Sequence, residues 1–167
     1  MSPAPGVLIA EKAPLALGAS PMTDEETIKV ETRLGPIMAH RSATIDMPQG
    51  PLGFARYTRF ALVDLPNPNL ARFKLLQSLD TAEVSFVVEP IDYAHGPIAK
   101  ADLEEACMSA GFVPENLLVL VIVTVRSDPA GVTLTANLRA PVFIDVQKRI
   151  GRQVVLANPC YAVRHPL

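Results

Sequence analysis

The chain predicts an all-β, mainly antiparallel fold: a small β-barrel-like single domain with one short helix. Three features of the sequence make that prediction. Short apolar runs recur along the chain, many with polar residues between the apolar ones, and Gly, Pro, Asn or Asp follows most of them. A single segment, residues 100–111, changes to helical spacing. No apolar run approaches the roughly eighteen residues that span a bilayer, and the strongest, NLLVLVIVTV at 116–125, is short enough to be a buried strand.

Residues 1–26 repeat Pro, Ala, Gly and Ser, a composition with no periodic apolar face, and are expected to form a flexible extension that folding does not need. From residue 27 the pattern becomes that of strands, so 27–167 is expected to be the folded domain. TIKVETRL at 27–34 alternates, Gly35 and Pro36 turn the chain, and SATIDM at 42–47 resumes the alternation, which predicts a hairpin. PQGPLG at 48–53 is a stiff loop. RFALVDL (59–65), RFKLLQS (72–78) and VSFVVEP (84–90) follow as three further strands.

In KADLEEACMSAG, Leu103, Ala106, Cys107 and Ala110 fall at i, i+3, i+4 and i+7. Acidic residues fill the first turn, and Gly111 is placed to end the helix. Residues 116–126 then read as the most buried strand, SDPAG turns at 127–131, and VTLTANL, VFIDV and RQVVL are three more strands. A hairpin over 148–151 joins the last two. This spacing suits a small sandwich or barrel, and growth between sequence neighbours favours a partly closed barrel covered by the helix.

The composition excludes several function classes. The formal charge is -2, with the basic excess confined to the stretch from Arg139 onward, so a phosphate backbone finds few clustered cations. Lys148, Arg149 and Arg152 flank Gly151 and read as a solvated hairpin tip before they read as an RNA patch. Two cysteines, Cys107 and Cys160, suggest neither a disulfide framework nor a zinc site and fit a reducing cytoplasm. His40, His95 and His165 are scattered, and no metal-ligand spacing, phosphate-binding loop or nucleophile elbow occurs. No catalytic, metal or cofactor residue is expected. The carboxyl-terminal YAVRHPL places Arg164 beside His165, which suits either a partner-binding rim or a tie that holds the chain end.

Taken in order, ETRLGPI at residue 31, MPQGPLGFARYTRF at 47, LLQSLDTAEVSFVVEP at 75, NLLVLVIVTV at 116, TANLRAPVFIDVQKRIGRQVVL at 135 and the closing YAVRHPL resemble the flagellar assembly factor FliW family over nearly all of residues 31–167. The resemblance implies a small antiparallel β-barrel-like fold and no enzymatic activity. It also implies a cytoplasmic regulator that binds flagellin and keeps the translational regulator CsrA from repressing flagellin messenger RNA; the charge and hydropathy readings add the expectation of no direct nucleic-acid or membrane contact. Flagellin would then take up the factor, release CsrA and lower its own synthesis until secretion reverses the switch. Positions in the matching motifs that a sequence would place at the surface are Gln77, Asp80, Asn137, Arg139, Arg164 and His165, the expected protein-binding residues. The sequence departs from the family at 78–83, where SLDTAE replaces an LDDP-like turn, and in being nearly neutral where many relatives are acidic. The competing reading is a small β-barrel enzyme or ligand-binding protein with an interior metabolite site, which would need polar residues converging on inward strand positions.

Overall fold

The structure, a computed structural model, describes residues 26–167. Apart from Glu26, the expected proline-rich extension lies outside the described residues. The strands are β1 (Thr27–Val30), β2 (Ile37–His40), β3 (Thr44–Asp46), β4 (Arg59–Asp64), β5 (Lys74–Ser78), β6 (Ser85–Ile91), β7 (Leu117–Asp128), β8 (Gly131–Asp145), β9 (Ile150–Gln153) and β10 (His165–Pro166), with one helix, α1 (Lys100–Ala110), between β6 and β7. The main sheet runs β10-β8-β7-β6-β5-β4-β3-β9, and β9 also pairs with β8. The pairing from β8 round to β9 therefore closes into a ring of seven strands. All its ladders are antiparallel except the β3–β9 contact at Asp46 and Ile150.

Several strands bury both faces, which explains why they read as continuous apolar runs. Inside the ring pack Ile45, Met47, Phe60, Leu76, Val88, Leu120, Val142 and Ile144. Alternation sends Ala61, Val63 and Leu75 to the outside of β4 and β5, where the separate β1–β2 hairpin covers them with Val30 and Ala39. It also sends Val119, Val121 and Phe143 to the outside of β7 and β8, where α1 covers them with Leu103, Ala106 and Cys107. Burying such side chains stabilises the fold by about 1.5–3 kcal/mol for each Val, Leu, Ile or Phe. The helix ends as its sequence dictates: Gly111 takes φ 79°, and the N–H groups of Gly111 and Phe112 donate to the carbonyls of Met108 and Cys107.

Four expectations need correction. Thr27–Val30 pairs with Ile37–His40, and residues 42–47 give only β3, because the Gly35 turn reverses the chain at once: Thr32 Oγ1 donates to the Gly35 carbonyl and accepts from Leu34 N–H. VTLTANL and VFIDV are one 15-residue strand, since the register shift between Leu120 and Ile122 absorbs the proline as an irregularity. The last hairpin turns early. Buried Asp145 accepts from the N–H groups of Gln147 and Lys148, so β9 is Ile150–Gln153 and not RQVVL. Gly151 therefore lies within a strand, where an added Cβ would stand 3.1 Å from Ile45 Cγ2 and 3.2 Å from Met47 Cγ.

Candidate partner-binding surface

The site begins where β7 outgrows its neighbour. β6 pairs with β7 only as far as Val87 and Val123, yet β7 continues to Asp128 and returns as β8 from Gly131. The extra length leaves the barrel as an arm, and β10 adds a third strand to it by pairing His165 with Ala136 and Pro166 with Thr135. Leu167 N–H donates to the Leu134 carbonyl and extends this edge.

On the arm, the alternation that placed Val119 and Val121 under the helix places Val125 on the same face with nothing over it. Opposite it stands Leu134, and Val132 follows two residues away on β8. Val125, Val132 and Leu167 are 52%, 66% and 47% exposed, and Val163 just before β10 is 59% exposed. A cluster of exposed aliphatic groups in one place marks an interaction surface. Along the arm an open groove of about 520 Å³ is lined by Val132, Leu134, Pro166, Leu167 and the guanidinium-bearing Arg126 and Arg164. Neither arginine has an acidic partner among the described residues.

Of the residues expected from sequence, Arg164 lies in this groove and His165 lies on the strand that borders it, both exposed. Asp80 is exposed in the β5–β6 turn and is ion-paired with Arg59 at 2.8 Å. That turn closes the end of the barrel from which the arm leaves.

Three candidates play structural parts. Gln77 is fully buried, contrary to expectation. Its Nε2 donates to the carbonyls of Ser78, Thr81 and Val84, which folds the turn between β5 and β6 over it, and its Oε1 is buried without a partner. Asn137 is half-buried at the register shift, where its Oδ1 accepts from the N–H groups of Arg139 and Ala140 at 3.0 Å each. Arg139 is half-buried too, and its Nε donates to the Leu156 carbonyl.

The segment that leads into β10 is tied to α1. Tyr161 O–H and Asn158 Nδ2 donate to Asp102 Oδ2 at the start of α1, and Ala99 N–H donates to the Tyr161 oxygen. Burial and the Asp102 bond both raise the Tyr161 pKa. Sequence reasoning missed Val125, Arg126 and Val132, because a strand's period does not say where its covering layer stops.

A closed barrel with a filled interior and a projecting arm whose apolar face is uncovered is a scaffold for surface recognition, and its chain matches proteins of one kind. The FliW protein family model matches residues 28–167. Flagellar assembly factor FliW of Anoxybacillus flavithermus is 34% identical over 143 residues, covering 84% of this chain and 94% of the relative. That of Syntrophus aciditrophicus is 37% identical over 141 residues, covering 81% and 84%. A crystal structure of the flagellar assembly factor FliW superimposes with a TM-score of 0.60 at 29% identity, over 84% of this chain and 95% of that one. The chain belongs to the FliW family.

Proposed function

We propose that this protein is a non-enzymatic cytoplasmic regulator of flagellar assembly. It binds flagellin on the arm and antagonises CsrA, so coupling flagellin translation to flagellin secretion. Family membership supports the role in assembly. The observation that carries the partner-binding reading is the uncovered Val125, Val132 and Leu167 face of the arm. The uncovered apolar strip suits the apolar side of an amphipathic helix such as a flagellin terminus, while Arg126 and Arg164, one residue out of step with the valines, rise from the other face of the arm. The barrel interior offers the competing metabolite reading little, because Phe60, Leu76, Val88, Leu120 and Val142 fill it with apolar atoms.

If flagellin and CsrA exclude one another, a tenfold change in either free concentration shifts the balance by about 1.4 kcal/mol, so modest swings in flagellin level operate the switch. Size-exclusion chromatography of the purified protein with flagellin monomer should give a stoichiometric complex. Two unshifted peaks well above micromolar concentration would remove flagellin from the reading. Adding flagellin to a preformed complex with CsrA should release CsrA, and a stable ternary complex would remove the exclusion. Replacing Arg164 and His165 together by alanine should weaken partner binding by more than about 1 kcal/mol with the unfolding midpoint nearly unchanged. A lower midpoint with affinity preserved would make the pair a structural tie instead.

A further inference from the structure

The unpaired cations of the described chain are not scattered. Lys29, Arg33, Arg59, Arg72, Lys74 and Lys100 each face a carboxylate within 4 Å. Arg56 lies over the Tyr57 ring, and Arg139 and Arg149 donate to main-chain carbonyls. Among the described residues Arg126, Lys148, Arg152 and Arg164 have no such partner. Arg126 and Arg164 share the arm groove. Lys148 and Arg152 share a second hollow at the other end of β8, where the β8–β9 turn meets the end of α1 and the loop after β3.

That hollow has a volume of about 210 Å³, below the roughly 300–1,000 Å³ of pockets that hold drug-sized ligands. Its walls mix Pro48, Phe112 and Ile150 with the two cations, and Ile150 is 39% exposed. Asp145 also lines it. That carboxylate is 4% exposed and accepts two N–H groups of the turn, which leave its charge in place, so it offsets one of the two cations without forming an ion pair with either. The carbonyl end of α1 adds some negative potential through Ala110 and Gly111, which falls off within one helical turn. Two cations against one carboxylate still leave the hollow net positive.

We infer that this hollow is a second binding site, distinct from the arm, for a carboxylate carried on a short branched apolar stem. The carboxylate pairs with Lys148 and Arg152, and the stem rests on Phe112 and Ile150. The apolar wall favours such a ligand over inorganic anions, and the small volume suits a small group better than a whole nucleotide. A free small acid and the last residue of a partner chain both present this chemistry.

The test is a titration of the full-length protein followed by two-dimensional amide NMR. The probes are 4-methylpentanoate and its neutral amide, and a hexapeptide ending in leucine with a free or an amidated carboxyl terminus. Saturable shifts at Gly111, Lys148, Ile150 and Gly151 with a carboxylate probe, absent with its amide, are the expected result. The tighter of the two carboxylates identifies the source. Lys148→Gln and Arg152→Gln should each weaken binding about tenfold or more while leaving the rest of the spectrum in place. Equal shifts from the amides, shifts confined to the arm, affinity unchanged in both variants, or no shift up to the solubility of the probes would each overturn the site. None of these outcomes bears on flagellin binding.

Discussion

Every residue of β8 from Ala140 to Asp145 is buried, whereas every residue from Gly131 to Thr133 is exposed, although β7 pairs with both halves on either side of the register shift. The backbone hydrogen bonds are alike, so the difference lies in what stands over the side chains. Phe143 has α1 above it and Ile144 has the barrel interior below it. Val132 has neither. Strand pairing thus sets the shape of this protein, and the covering layers decide which part of that shape is stability and which part is surface.

The sharpest way to break the comparison is to truncate an aliphatic side chain to alanine in a covered position and in an uncovered one. Leu120→Ala empties a fully buried position inside the barrel and should cost about 2–5 kcal/mol in urea denaturation. Val132→Ala on the arm should stay within about 0.5 kcal/mol. Similar losses at the two sites would show that the arm packs on something and is not free. Asn137 lies between the halves. Asn137→Ala leaves the N–H groups of Arg139 and Ala140 without their acceptor and should cost about 1–3 kcal/mol, and a neutral result would mean that the register shift holds without its cap.

Smaller effects test how tightly the covered region is satisfied. Tyr93 packs against the helix-side core, and its hydroxyl is buried without a partner. Tyr93→Phe should therefore leave stability unchanged or raise it by up to about 1 kcal/mol, and a clear loss would reveal a hydrogen bond to that hydroxyl. Burial raises the pKa values of Tyr93, Cys107 and Tyr161. The folded state then holds its protons more tightly than the unfolded state. This stabilisation is complete below about pH 9 and fades as pH rises through the raised values. The urea midpoint at pH 10.5 should fall slightly below that at pH 8; a rise would reverse the sign of the argument.

Much of the barrel was legible in sequence because its strands bury both faces. VSFVVEP and NLLVLVIVTV could hardly be anything but strands, and Gly111 marked the end of α1 to the residue. The errors share one cause. Pro141 reads as a break, yet the Asn137 side chain holds the backbone through an irregularity and the strand goes on. Gln77 reads as surface, yet it finds its hydrogen bonds in the turn that folds over it. In both places a polar side chain serves the main chain, and a one-dimensional pattern cannot distinguish that from service to a partner. Arg164 and His165 were expected at the surface, and both are exposed there.

The ring closes at a single parallel contact. Across it, Asp46 N–H donates to the Arg149 carbonyl, Arg149 Nη1 donates to the Arg41 carbonyl and Leu52 N–H donates to Gln153 Oε1, joining residues about a hundred positions apart. Arg149 holds the seam in a left-handed conformation, φ 58°, that favours glycine. Closing so long a loop costs chain entropy before any contact rewards it, so the seam should form after the sequential β4–β8 meander in time. A contact made late leaves the folding rate nearly untouched and appears in the unfolding rate. Arg149→Ala should therefore speed unfolding and leave refolding almost unchanged. The lifetime of the closed barrel would then be set by one arginine at its seam, and slower refolding of that variant would show that the ring begins to close where it is weakest.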